Sequence, residues 1–335
     1  MRGAIIGFGE VAHHGHWPAY ASCADLSIVA VVDRSEERRR LAESLSPVVH
    51  AYRSIEDLAR AGTPIDFVDI CTPPALHAAP MLTALECGWH VLCEKPLLLD
   101  PAVVEMVRVR AAASDVSVMP VHNWKYAPIV ACATGALRDG AIGRLRHVDI
   151  ETLRPRESAT AERDRPNWRR DPALAGGGIV MDHGWHAAYL MLHWFEAAPI
   201  DVRASLHRSA PAAVEDEASI ELRFESGDAT ISLTWNAPVR RNTMRLVGDL
   251  GEIRVDDDVL SVNGAQTMFA RALSSGSHHE DWFAAMLPDV AAGFNDRDAA
   301  GRAFDEAAEC LALIQRAYGA RSAMALSPRV KLSAS

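Results

Sequence analysis

Along the first 120 residues, short apolar runs alternate with segments of helical spacing, and this alternation narrows the possible folds more than any other feature. The runs AIIGF, SIVAVVD, IDFVDIC, WHVLCE and VSVMP are rich in β-branched residues and bounded by Gly, Pro or Asp, so they read as strands. Helical spacing appears near 11 to 22, 35 to 46, 55 to 61, 76 to 87 and 101 to 113. Strands that are apolar throughout have no solvent face. They belong in a parallel sheet covered by helices on both sides.

Beyond Pro120 the pattern changes. Helices are expected near 127 to 138 and 178 to 195, around a stretch without clear period, and then strict alternation begins. In SIELRF the residues Ile220, Leu222 and Phe224 share one face, and in ATISLTW so do Ile231, Leu233 and Trp235. This predicts a mostly antiparallel sheet with one covered face, continued by GDLGEIRVDDDVL and closed by helices near 279 to 292 and 299 to 318. With 335 residues the chain exceeds what one core sustains, roughly 250 to 300. Two domains are expected, 1–122 and 123–335, with a cleft between them.

Composition excludes several function classes. A net charge of -10 argues against nucleic-acid binding. The six cysteines form no C-x-x-C pair and predict reduced thiols. A first strand that starts at once, and the lack of any run of ~20 apolar residues, predict a cytoplasmic protein with no membrane span.

The chemistry-bearing motifs sit where predicted strands end. Gly7-Phe8-Gly9-Glu10-Val11-Ala12 fits G-x-G-x-x-[GA]: Gly7 permits a tight turn, Gly9 lets backbone approach a pyrophosphate, and Ala12 allows close helix packing. The following helix start offers free N–H groups to phosphate. Asp33, at the end of the next strand, is suited to accept from an adenosine ribose and favours NAD; Arg34 beside it keeps NADP open. Cys71-Thr72-Pro73 and His77, then Glu94-Lys95 before Pro96, complete the expected cofactor edge. Lys95 can reach a substrate hydroxyl.

In GGGIVMDHGWH, residues 176–186, the four-residue spacing of Asp182 and His186 predicts one helical face. A histidine can take a hydroxyl proton near neutral pH, and a neighbouring carboxylate would orient it and favour imidazolium. His186 is the expected base, Asp182 its partner and Lys95 the group that polarises the hydroxyl. A metal set of Asp182, His183 and His186 lacks any H-E-x-x-H or H-x-H pattern and is not expected. His183 receives no role, and the three glycines are expected to bring the chain close to cofactor and substrate.

GFGEVA, the strand ending in Asp33, CTPPALH, CEKP and GGGIVMDHGWH occur in the order and spacing of the Gfo/Idh/MocA family of nicotinamide-dependent oxidoreductases, which the chain resembles over most of its length. The resemblance implies an N-terminal Rossmann domain with a C-terminal α+β domain on an open, mostly antiparallel sheet. It also implies NAD (or NADP), and catalysis by Lys95, Asp182 and His186. The substrate expected is a sugar, cyclitol or related polyol, oxidised at a hydroxyl or reduced at a ketone. The family also contains NAD-dependent glycoside hydrolases and non-enzymatic NAD-binding regulators.

Substrate contacts are expected from His122, Asn123 and Trp124 at the domain junction, and from Trp168 and Arg169 in the Pro166–Asp171 loop. Tyr189 stands where relatives often carry an acid and is expected to alter hydrogen bonding around the sugar. The His13-His14-Gly15-His16 run is read as packing or cofactor-proximal, and His193 as packing. The one-faced sheet, as in the family it resembles, predicts a homodimer or homotetramer through its open face, since a large exposed apolar face is not expected on a monomer.

Overall fold

A computed structural model describes residues 1–158, 167–211 and 213–320; Pro166 and the small-residue tail fall outside these. The first sheet contains β1 (Arg2–Ile6), β2 (Ser27–Val32), β3 (His50–Tyr52), β4 (Phe67–Ile70), β5 (His90–Cys93) and β6 (Val118–Pro120), all parallel, in the order β3-β2-β1-β4-β5-β6. The order reverses between β1 and β4. Ligands of open α/β sheets bind outside the carboxyl ends at such a point.

The connecting helices are α1 (Trp17–Tyr20, entered through a π-helical turn at Ala12–His16), α2 (Glu36–Leu45), α3 (Ile55–Ala61), α4 (Ala78–Glu86) and α5 (Pro101–Ser114). Their starts follow capping chemistry: Ser35 and Ser54 accept from backbone N–H groups three residues on, and Asp100 caps α5 ahead of Pro101.

After α6 (Pro128–Arg138) the second sheet begins with β7 (Leu145–Leu153). The chain then runs through α7 (Pro172–Ala175) and α8 (Trp185–Phe195) before the meander β8 (Asp201–His207), β9 (Glu217–Arg223), β10 (Asp228–Thr234), β11 (Arg241–Gly248), β12 (Glu252–Asp256), β13 (Val259–Val262) and β14 (Ala265–Met268). The order is β14-β13-β12-β11-β7-β10-β9-β8, antiparallel except for β7 with β10. Ile220, Leu222, Ile231, Leu233 and Trp235 are buried, as their alternation predicts.

The opposite face is not apolar. It carries ion pairs such as Arg254–Glu252 (2.7 Å), Arg245–Glu252 (3.0 Å) and His147–Asp149 (2.9 Å), so the expectation of an exposed apolar face fails. Polar residues at every second strand position satisfy that face in water.

Two helices end the described chain, α9 (Glu280–Asn295) and α10 (Arg297–Gly319). Phe283, Met286, Leu287 and Phe294 of α9 share one buried cluster with Ile5, Phe8, Tyr20 and Val31. The end of the chain thus completes the covering of the first sheet. Among the described residues no helix is long and apolar enough to cross a membrane.

Candidate active site

The cleft at the carboxyl edge of the first sheet has a volume of about 830 Å³ and extends to the second sheet. On its nucleotide side, Gly7 has φ +90° and a Cβ there would lie 2.8 Å from Thr72 Cγ2. Only glycine fits. A Cβ at Gly9 would meet no heavy atom within 4 Å, so this turn opens into the cleft. Glu10, Val11, Cys71, Thr72, Pro73 and Glu94 line the same side, and the Thr72 hydroxyl is buried without a partner among the described residues.

Asp33 ends β2 with its carboxylate organised. Oδ2 accepts from Phe8 N (2.8 Å) and Oδ1 from Ser35 N (2.8 Å), and Arg38 lies 3.5 Å away. Arg34, Arg38 and Arg53 line this end. An open glycine turn, an unpartnered hydroxyl and a fixed carboxylate fit a dinucleotide laid across the edge.

Three expected cofactor residues do not line the cleft. Phe8 and Ala12 are buried beneath it. His77 is fully buried, with Nε2 at 2.7 Å from Thr72 O and Nδ1 at 3.0 Å from Pro96 O. Its ring ties together the loops after β4 and β5, a supporting role that spacing alone did not reveal.

The reacting end is built on the loop after β5. The Lys95–Pro96 bond is cis, and Lys95 Nζ donates to Asp182 Oδ1 and to Asp182 O, each at 2.9 Å. Behind it, Glu94 Oε2 accepts from Lys95 N (3.0 Å) while Oε1 meets His16 Nε2 (3.1 Å). His16 Nδ1 is 2.8 Å from Asp69, and its ring stacks on Phe283 at 3.6 Å. Burial opposes charge on His16, but Asp69 and Cys71 outweigh it and raise its pKa well above the ordinary value. His16, Asp69 and Cys71 converge like metal ligands, yet Tyr20 also donates to Asp69 (3.0 Å) and the network is satisfied internally.

Asp182 lies in a π-helical turn, Val180–Gly184, ahead of α8. Burial would raise its pKa, but Lys95 and Arg169 hold it well below the usual carboxylate range. The expected bond from Asp182 to His186 is not formed among the described residues, because Asp182 turns to Lys95 and to Arg169 Nε (3.5 Å). His186 instead stacks on Trp124, with centroids 4.7 Å apart and planes within 10°. Burial, then Lys95, pushes its pKa well below the ordinary histidine range, so it is neutral, and the carboxylate expected to favour its imidazolium does not outweigh burial.

His183 is also neutral: burial, with Arg154, Lys95 and Arg240, brings it down to about 3. Trp235 Nε1 donates to its Nδ1 (3.4 Å), so the nearby Asp182 oxygen at 3.4 Å is not its salt-bridge partner.

The three glycines are required by the chain's own packing, and Gly177 and Gly178 also line the cleft. A Cβ at Gly176 would strike Leu99 (2.5 Å), at Gly177 the Tyr318 hydroxyl (2.0 Å) and at Gly178 the Glu215 carbonyl (2.0 Å). The buried Glu215 carboxylate accepts from Gly178 N (2.8 Å), Val180 N (3.2 Å) and Tyr318 Oη (2.7 Å), fixing the turn that carries Asp182.

On the substrate side Asn123, Trp124, Trp168 and Arg169 line the cleft, with Arg169 4.4 Å over the Trp168 ring. His122 does not; it is buried behind, against Tyr189 at 3.8 Å. Tyr189 is buried with it and does not line the cleft, so it is not placed to bond a sugar there. His193 meets Tyr189 and Arg138. Arg154, Arg240, His278 and His279 line the cleft and were not anticipated. Arg154 directly follows β7 and Arg240 directly precedes β11, and strand alternation gives no sign of a charged side chain turned inward.

A doubly wound nucleotide domain whose edge presents a lysine–carboxylate pair and a buried neutral histidine defines a dinucleotide-dependent oxidoreductase. Residues 1–122 match the oxidoreductase family, NAD-binding Rossmann fold, and residues 131–254 match the GFO/IDH/MocA C-terminal domain; the chain belongs to the Gfo/Idh/MocA family. It is 27% identical to oxidoreductase P35 of Formosa agariphila, over 69% of this chain and 71% of that one. It is also 27% identical to D-apiose dehydrogenase of Paraburkholderia graminis, over 69% of this chain and 59% of that one. The crystal structure of GenD2 from gentamicin A biosynthesis, in complex with NAD, superposes with a TM-score of 0.81 at 21% identity, covering 96% of this chain and 93% of that one.

Proposed function

We propose that the protein moves a hydride between the nicotinamide of NAD(P) and a carbinol or ketone carbon of a sugar, cyclitol or related polyol. The observation that carries this reading is the meeting of Lys95 with Asp182 beside a neutral, buried His186. When bound, the nicotinamide supplies the site for hydride. Gly7, Gly9, Glu10 and Val11 would hold the diphosphate and Asp33 the adenosine ribose, while Arg34 keeps a 2′-phosphate admissible.

Asp182 takes two of the three N–H donors of Lys95, which leaves one to orient and polarise a substrate oxygen. His186, neutral at physiological pH, accepts the hydroxyl proton as the carbinol is oxidised, and returns it when a ketone is reduced. Trp124 fixes the imidazole plane, and Asn123, Trp168 and Arg169 wall the substrate. Assembly as a homodimer or homotetramer through the second sheet would use polar contacts.

Screening purified protein against sugars and cyclitols for NADH absorbance tests the reading. Lys95→Ala and His186→Ala should each abolish turnover while NADH fluorescence still reports cofactor binding. Loss of cofactor binding in His186→Ala would contradict its assigned role.

A further inference from the structure

The substrate side of the cleft holds positive charge that the described residues do not neutralise. Arg154, directly after β7, is 2% exposed and lines the cleft. Its Nη1 donates to the carbonyls of Leu153 (2.7 Å) and Arg241 (3.1 Å), and its Nη2 to Asn242 Oδ1 (3.0 Å). Its Nε is buried and has no partner among the described residues. Arg240 lines the same wall and donates to Ser274 O (2.6 Å), Gly276 O and Ser277 Oγ (3.2 Å). Every one of these acceptors is uncharged.

The acids nearby are already engaged. Asp182 is shared by Lys95 at 2.9 Å and Arg169 at 3.5 Å. Asp257 accepts from Asn242 N, Ser274 N and Ser274 Oγ. Among the described residues neither Arg154 nor Arg240 has a carboxylate within ion-pair distance. Burial, with Arg240 adding to it, disfavours charge on Arg154, as an uncompensated cation in a poorly solvated wall should show. Such a pair gains when an anion enters, and guanidinium forks match the oxygens of carboxylate and phosphate.

We propose that the substrate is a carbohydrate carrying an anionic oxygen group, as a sugar acid or sugar phosphate does, with Arg154 and Arg240 holding the charged end. Lys95 and His186 then face the hydroxyl that reacts. This rests on the dehydrogenase reading for the identity of the reacting group, but the charge preference is measured by binding alone.

Calorimetric titration of the NADH-loaded protein with paired ligands is the test: uronic acids, aldonic acids and sugar phosphates of the gluco, galacto and xylo series against their neutral parents. At least one anionic member should bind about tenfold or more tightly than its parent, and Arg154→Gln or Arg240→Gln should erase that margin while NADH still binds. The carboxylate and phosphate arms identify which anion the wall takes. Neutral parents that bind as well as every anionic partner, or a preference surviving in both variants, would overturn the proposal. If a neutral sugar yields NADH without any anion preference, this inference fails and the dehydrogenase reading stands. If an arginine-dependent anion preference appears and no ligand yields NADH with NAD, the dehydrogenase reading fails and the anion site stands.

Discussion

His16, buried behind Glu94 of the cleft's nucleotide wall, and His186, which lines the cleft, are 1% and 8% exposed, yet they carry different charge. His16 has a carboxylate against each ring nitrogen, Asp69 and Glu94, so the cost of burying its charge is outweighed. His186 has an indole on its face and Lys95 nearby, with no carboxylate bonded to it among the described residues, so it stays neutral. Burial opposes charge on both rings; bonded carboxylates outweigh it at His16 and not at His186. Behind the nucleotide wall a cation holds Glu94, and the opposite wall keeps an unprotonated base.

The comparison breaks most severely at the lysine between the walls. Lys95→Met should reduce kcat by about a thousandfold or more, because the substrate oxygen loses its donor and Asp182 loses its partner. NADH affinity should change by no more than a small factor, as read by fluorescence titration. His16→Leu removes the cation between two buried acids, and should lower unfolding free energy by about 3–5 kcal/mol in urea denaturation. If that variant is as stable as the parent, His16 is not the charged member of the network. Asp33→Ala should weaken NAD binding about tenfold and NADP less, since the lost carboxylate is the one proposed to hold the ribose; an unchanged preference would remove Asp33 from that end.

Stability also depends on pH, through two components of opposite sign. For His183, near 3 when folded, and His186, also depressed, the unfolded chain binds protons first as pH falls below about 6.5. Stability should therefore decline below pH 6.5, on the order of 1 kcal/mol per pH unit for each such histidine until its folded pKa is reached. His16 acts oppositely: its contribution is full below 6.5 and is lost as pH rises through its elevated value. Denaturation midpoints of the parent and His183→Asn across pH 5 to 8 separate the two; an identical slope in both would contradict a neutral His183.

The nucleotide wall was the more legible in sequence because its chemistry is local. Each motif follows its own strand, so Gly7, Asp33, Thr72 and Lys95 are found by reading along the chain. β3 escaped because HAY is three residues long and only partly apolar. β7 escaped because burial at Leu145, Val148 and Ile150 breaks alternation once, at His147.

The substrate wall is assembled from distant segments. Asp182 and His186 looked like partners at helical spacing, but a π-helical turn and the competition of Lys95 direct Asp182 elsewhere. The glycines before them answer to Tyr318 and Glu215, residues that no local pattern connects to the motif. Arg154 and Arg240 carry no signal apart from the fold that turns them inward.

Proton transfer to a neutral His186 is the central claim, and the pH profile of kcat/KM for oxidation of the best polyol, in the parent and in His186→Asn, tests it most directly. The parent should keep its activity down through pH 6.5, with an acidic limb below that value, because the folded histidine resists protonation. His186→Asn should lose that limb together with about a hundredfold or more in rate. A variant with the parent's rate and limb would contradict the account.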